Sequence, residues 1–237
     1  MIAAATGTMT TMDALEVVVA WRPQTFGSKK SGDVTDPIVE PLWSGLRFLG
    51  AVAGENAFLQ DPDGDRLDGF PELAEALAAA STASELVVDG YVTAEVVHGD
   101  AVAVVTDMTK MESPGKVVTQ TLMGQRRKSD ERLLDEGRAE RMPHEDDPVA
   151  LVLVDLLWLD GTNLLDIPLL ERRRLLDAVV HQSDLVRVGT YIRPPIDTWV
   201  GSWRSMGFPG LSFKAANSRY APGAAALDWA SVAMPRR

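Results

Sequence analysis

Cysteine is absent from the 237 residues, which removes disulfides, thiolate zinc sites and cysteine nucleophiles together. A chain without it suits a reducing compartment, and the cytoplasm is the default expectation. Histidine is nearly as scarce. His98, His144 and His181 stand far apart, so none forms a short metal-ligating pair and each reads as a surface side chain. Positive charge is in deficit, with 23 Lys and Arg against 34 Asp and Glu for a net charge of -11. That balance argues against a protein that grips nucleic acid over most of its surface, because phosphate neutralisation needs clustered cations. No window reaches the roughly 18 uninterrupted apolar residues of a membrane span. The N-terminal MIAAATGTMTTMDALEVVVAW lacks a basic start and is interrupted by Asp13 and Glu16, so it fails as a signal peptide or anchor. Phosphate loops of the G-x-x-x-x-G-K-[ST] type, G-x-G-x-x-G, H-E-x-x-H and G-x-S-x-G are also missing.

What remains is ordinary globular material, 46% hydrophobic and 24% charged, long enough for one or two domains. The first twelve residues read as loose, and residues 22–41, rich in Pro, Gly, Ser and charge, read as an exposed connection after an N-terminal apolar strand or helix. RFLGAVA and ENAFLQ, split by Gly54 and followed by Asp61-Pro62-Asp63-Gly64-Asp65, predict a hairpin. FPELAEALAAAS predicts a helix with Pro71 in its first turn. ELVVDGYVTAEVVHGDAVAVVTDM predicts paired strands with turns at Asp89-Gly90 and Gly99-Asp100. A basic knot, Gln125-Arg126-Arg127-Lys128, precedes the acidic run DERLLDEGRAERMPHEDD, which reads as a solvated face without chemistry. VALVLVDLLWLDG predicts a strand buried on both faces that ends in an Asp160-Gly161 turn. PLLERRRLLDAVVHQ predicts a helix with its arginines beside the apolar stripe. LVRVGTYI, DTWVGSWRSMG, LSFKAANSRYAPG and ALDWASVAM then alternate strand, helix and strand, and no repeat of 20–50 residues is visible.

Taken in order, several short segments carry more information than any one alone. They are Glu40-Pro41-Leu42-Trp43-Ser44-Gly45-Leu46-Arg47, Phe70-Pro71-Glu72-Leu73, Leu86-Val87-Val88-Asp89-Gly90, Val154-Asp155-Leu156-Leu157-Trp158-Leu159-Asp160-Gly161 with Pro168-Leu169-Leu170-Glu171-Arg172-Arg173, Gly210-Leu211-Ser212-Phe213-Lys214, Tyr220-Ala221-Pro222-Gly223 and Asp228-Trp229. Together they resemble the adenylation domain of ATP-dependent DNA ligases in order and approximate spacing, from about Ile38 to Val232. The resemblance implies an α/β fold, α+β in stricter terms: a nucleotidyltransferase domain with two mainly antiparallel sheets flanking a cleft and helices outside. It divides the chain into a loose segment and connection over 1–37 and the ligase-like domain over 38–237. The chain ends at Arg237 soon after the last motif, so no OB-fold domain is expected within it.

Such enzymes attach AMP to a lysine, pass it to a DNA 5′-phosphate and seal the nick. The chemistry needs an amine nucleophile, carboxylates for divalent metal and cations for the triphosphate. The family's E-x-K-x-D-G-x-R motif has Leu42 at the lysine and Ser44 at the aspartate, while Glu40, Gly45 and Arg47 match. A leucine has no lone pair to donate. Further departures are Pro62 at the arginine of S-R-N-G, with Arg66 nearby, Tyr91 at the glutamate of D-G-E and Val154 at the adenine-stacking aromatic. Pro209 stands at the glutamate of E-G-x-x-x-K, where Lys214 matches, and Ser231 and Ala233 replace two lysines after Trp229.

The resemblance therefore implies a retained scaffold without its chemistry. The expectation is a degenerate ligase-like binding or scaffold subunit linked to DNA repair or end joining, with no catalytic residue and no metal ligand assigned. Glu40, Arg47 and Lys214 are candidate remnants of a nucleotide site. Arg126, Arg127, Arg172 and Arg173 are candidate DNA contacts. The expected partner is a protein, either an intact ligase or another repair protein, with DNA secondary and no membrane. No cofactor is expected, and ATP and Mg2+ enter only if activity is retained. Two alternatives stay open: residual activity through a relocated lysine, Lys214 or Lys29 and Lys30, and a nucleotide sensor that binds without reacting.

Overall fold

The computed structural model describes residues 13–94 and 149–234. Local patterning accounts for most of its elements. The alternation of LRFLGAVA and NAFLQ produces β3 (Leu46–Ala53) and β4 (Asn56–Gln60), paired antiparallel with Leu49 opposite Gln60 and Ala53 opposite Asn56. Pro71 opens α2 (Pro71–Ala80), where a missing N–H costs nothing, and Leu73 and Leu77 are fully buried from it. Each such leucine contributes about 1.5–3 kcal/mol of burial. The long apolar run forms β6 (Ala150–Leu159), buried along nine of its ten residues. It ends where Asp160 and Gly161 turn with φ of 43° and 78°. α3 (Leu169–Val179), β8 (Val186–Val188), α4 (Asp197–Ser205), β9 (Gly210–Ala215) and β11 (Trp229–Ala233) follow in the expected alternation.

These elements make two main sheets. The larger has six strands in the order β4-β3-β5-β6, where β5 is Glu85–Thr93, and β7 (Thr162–Asn163) and β8 both pair with β6. Only the β6–β8 pairing is parallel in it. The smaller is antiparallel, β11-β9-β2, with β2 spanning Pro37–Pro41. One face of the large sheet, including Phe48, Leu86, Val88, Leu151 and Leu153, shares a core with Leu73 and Leu77 of α2 and Leu176 of α3. The outer face of the small sheet, with Val39, Leu211, Phe213, Ala230 and Val232, packs on Val200 and Trp203 of α4. The two mainly antiparallel sheets with outer helices agree with expectation. Among the described residues, no helix is long and apolar enough to cross a membrane.

Two expectations are corrected. Asp89-Gly90 makes no turn; both lie in the middle of β5, with Asp89 opposite Leu49 and Asp155. The short apolar runs on either side of this pair continue one strand, because neighbours bond on both edges. Nor is the described part of the first 37 residues loose. Asp13 caps α1 (Ala14–Val19), its carboxylate accepting from the Glu16 N–H at 3.0 Å. Ala14, Val17 and Val18 are buried with Leu49, Phe58 and Val87. β1 (Thr25–Phe26) then pairs in parallel with β10 (Ala225–Ala226). An amphipathic helix and two long-range pairings outweigh a composition that looks like a linker. The first twelve residues and the basic knot fall outside the described residues, as does the Gly99-Asp100 turn.

Candidate functional site

The inner faces of the two sheets carry the residues that the sequence singles out. On the small sheet, register and alternation put them on one face. Lys214 lies between Ile38 and Trp229, and Ser212 between Glu40 and Ser231. Gly210 is opposite Ala233 and accepts a hydrogen bond from the Leu42 N–H at 2.9 Å. Glu40 and Lys214 therefore meet, with Nζ 2.7 Å from Oε2, and Ser212 Oγ donates to the same oxygen at 3.2 Å. Both side chains are within 5% of full burial. The Lys214 ammonium also stands 4.7 Å from the centroid of the Trp229 ring. One register step further, Leu42 is 1% exposed and shares an apolar cluster with Ala233 and the ring of Phe26. The inner face thus holds a neutralised ion pair beside an apolar contact.

Arg47 does not join Glu40 and Lys214. It sits on β3 opposite Tyr91 and forks onto Asp89, with Nε 3.1 Å from Oδ1 and Nη2 2.7 Å from Oδ2. Burial works against its charge, but the Asp89 carboxylate outweighs that and holds the guanidinium well above its ordinary pKa. The Tyr220 hydroxyl donates to Asp89 at 2.7 Å and accepts from the Gln24 N–H at 2.9 Å. Burial, followed by the charge of Asp89, pushes that phenol well above its usual value of 10. Gly45 initiates this arrangement: at φ 113° its missing Cβ would lie 2.1 Å from the Val92 carbonyl oxygen.

Beside Asp89 lies Asp155. A register shift in the β5–β6 ladder between Asp89 and Gly90 skips Val154, so Asp155 is opposite Asp89 on the inner face. Two adjacent buried carboxylates require two cations, and Arg172 supplies the second. Its Nε and Nη2 each lie 2.8 Å from Asp155, and Nη1 donates to the Ile167 and Ser218 carbonyls. Arg173 turns inward as well, donating to the Leu153 and Gly189 carbonyls and standing 3.6 Å from Glu40 Oε1. The reading of these two arginines as exposed DNA contacts is corrected. Both are 0% exposed, and their helix buries them against strand carboxylates and carbonyls. The exposed one is Arg174, paired with Glu171 across one turn. Arg126 and Arg127 lie outside the described residues.

The positions at which the resemblance implies chemistry are otherwise occupied. Val154 and Ser231 are buried, and Arg47 lies 5.6 Å over the ring of Tyr91. Pro62 is exposed in a turn, while Arg66 covers the Phe58 ring at 4.0 Å. Lys30 is exposed and Lys29 half-buried, near enough to Asp228 to lower a carboxyl that burial raises. Among the described residues no group of three or more His, Asp or Glu converges as metal ligands. Asp89 and Asp155 come closest, and guanidinium nitrogens already fill their oxygens. Held by guanidinium nitrogens, these two carboxylates offer no open pair of oxygens to a divalent ion. The sequence gives no sign of the parts played by Gln24 and Phe26, which depend on contacts with residues 220–229 and 233. Asp155 and Tyr220 stand within the family-like segments, where no local pattern assigns them a role.

Three comparisons bear on this arrangement. The model of the ATP dependent DNA ligase domain matches residues 63–232, a range that begins after Glu40 to Arg47. The chain is 28% identical over 169 residues to a DNA ligase of Pyrobaculum arsenaticum, covering 70% of this chain and 25% of the relative. It is 30% identical over 169 residues to a DNA ligase of Pyrobaculum calidifontis, with the same coverage of 70% and 25%. Among solved structures, the ligase domain from M. tuberculosis LigD superposes with a TM-score of 0.58 at 22% identity, covering 90% of this chain and 59% of that one. A mycobacterial DNA ligase D complexed with ATP and MES gives 0.58 at 21% identity, with 90% and 60% covered. The chain thus spans about a quarter of the length of these curated relatives.

Proposed function

The chain belongs to the family of the ATP dependent DNA ligase domain, and from that premise we propose that it is a non-catalytic member, a binding or scaffold subunit in DNA repair or end joining. One observation carries the reading: Leu42, which the motif resemblance sets at the family's lysine, is packed against Ala233 and Phe26. Transfer of AMP requires a nitrogen lone pair, and neither this side chain nor its apolar neighbours can supply one. Lys214 is a poor substitute. Its nitrogen is buried and held 2.7 Å from Glu40 Oε2, so it would have to leave that pair before it could attack a phosphate.

Cations that would meet a triphosphate are already neutralised by Glu40, Asp89 and Asp155, so ATP and Mg2+ have no part in the proposed role. Arg172 and Arg173 are turned inward, which favours a protein partner, an intact ligase or another repair protein, over DNA gripped through this helix. The proposed setting is the cytoplasm. Incubation with radiolabelled ATP and Mg2+ followed by denaturing electrophoresis is expected to show no protein-bound AMP. A covalent adduct overturns the proposal.

A further inference from the structure

The exposed side of α1 and the loop after Tyr220 form one apolar surface. Two of the three large hydrophobic side chains that stand exposed among the described residues are on it, Val19 at 58% and Leu227 at 89%. Arg22 joins their segments: its Nη1 donates to the Val19 carbonyl at 2.9 Å, and its own carbonyl accepts from the Gly223 N–H at 2.8 Å. From Gly223 the chain runs through exposed Ala224 and Ala225 to Leu227 without a charge. Strand alternation explains the exposure. Ala226 of β10 faces the core at 1%, so Ala225 and Leu227 on either side of it face out. The backbone there is tied down, because Thr25 and Phe26 pair with Ala225 and Ala226. A Cβ on Gly27 would stand 2.0 Å from the Ala226 carbonyl oxygen. Leu227 is therefore held out in water by its neighbours.

Carboxylates border this surface. Glu16 lies one turn before Val19 and Ala20, and all three are exposed. The turn after β4 comes against Arg22, where a Cβ on Gly64 would lie 2.1 Å from Nη2. Asp61 Oδ1 shapes that turn by accepting from the N–H groups of Asp63, Gly64 and Asp65 at 2.9, 2.8 and 2.9 Å. Asp63 and Asp65 are left exposed. The cations nearby are engaged: Arg22 is bonded to the Val19 and Trp21 carbonyls, and Arg66 lies over the Phe58 ring. At the far end Lys29 and Lys30 stand beside Asp228 and Asp33. Such a border repels the phosphates of nucleic acid and of anionic lipid, and it attracts a basic chain. We propose that this surface docks a basic amphipathic segment of a partner protein. Leu227 is the central apolar contact, and Glu16, Asp63 and Asp65 pair with lysines or arginines beside it. The inference rests on the reading of the chain as a binding subunit and gives its protein partner a chemistry.

The test uses a fluorescein-labelled synthetic helix with leucine at every third or fourth position and lysine elsewhere. It is titrated with the whole chain and followed by anisotropy. Binding is expected, and a second peptide with glutamate in place of lysine should not bind. Leu227→Ser is expected to weaken binding about tenfold. Asp63→Asn combined with Asp65→Asn is expected to weaken it about fivefold and to flatten its dependence on salt. These side chains are exposed, so the urea unfolding midpoint should not move. Leu185→Ser removes the third exposed hydrophobic, next to β8 at the other edge of the large sheet, and should leave binding unchanged. No weakening by Leu227→Ser, or equal weakening by Leu185→Ser, overturns the proposal, since the peptide would then adhere to any acidic surface. Self-association of the unaltered chain that Leu227→Ser abolishes also overturns it, as does such loss of binding to duplex DNA or anionic vesicles. Each would assign the surface to another occupant. An AMP adduct on the unaltered protein would overturn the non-catalytic reading without altering these affinities, so the two failures are distinguishable.

Discussion

On the large sheet, Asp89 and Asp155 sit side by side and each is gripped by two nitrogens of one guanidinium. On the small sheet, Glu40 spends one oxygen on Lys214 and Ser212. Its other oxygen has no hydrogen bond and faces Arg173 at 3.6 Å. The contrast separates two ways of burying charge. Bidentate pairing fixes both position and orientation and satisfies the carboxylate, so the large-sheet pairs hold β3, β5, β6 and α3 together. The small-sheet pair shares its charge among looser partners, and its neighbours Leu42 and Ala233 are apolar. One region is a structural lock, and the other is a neutralised pair beside an apolar contact.

The comparison breaks first at Arg172. Arg172→Leu leaves Asp155 buried without its cation and is expected to cost about 3–5 kcal/mol, read from the midpoint of urea unfolding. Lys214→Met is expected to cost less, about 2–3 kcal/mol, because Ser212 and Arg173 still face Glu40. Equal or reversed losses would show that the two regions are locked alike.

Tyr220→Phe sharpens the difference further. It deletes one bond to Asp89 but spares the Arg47 fork, so about 1–2 kcal/mol is expected. It also changes the alkaline limb. A phenol whose folded pKa is raised above 10 contributes stability that is complete below about pH 10 and lost as pH rises through the folded value. Unfolding midpoints of the parent should therefore fall above pH 10 more steeply than those of Tyr220→Phe. The smallest effect belongs to Arg174→Ala, whose pair with Glu171 is more than half exposed. A change below about 0.5 kcal/mol is expected. A larger loss would mean that exposure does not separate it from Arg172.

Legibility differed between these regions for physical reasons. The β3–β4 hairpin, α2, β6 and α3 were readable because each is a local periodicity bounded by its own turn residue. The pairing of Glu40 with Lys214 was half-readable, since both residues stand in recognised motifs but their contact depends on β2 and β9 lying in one register. Arg172 and Arg173 were misplaced, because helical periodicity marks a face without saying what lies opposite it. Gln24 and Phe26 were passed over, as a polar, proline-containing stretch gives no local sign that it will pair with residues some two hundred positions away.

By itself the sequence determined which atoms are present: no thiol, no amine at residue 42, and a set of motifs sufficient to place the chain among ligase-like domains. It also determined most of the elements, because hydrophobic spacing acts over one turn or one strand. Only the tertiary structure decided how the charges are used. The register shift that brings Asp155 beside Asp89, the inward turn of two arginines and the fit of Phe26 over Leu42 each join segments far apart in the chain. Coulomb attraction and desolvation depend on separation in space, and the packing of the two sheets sets that separation.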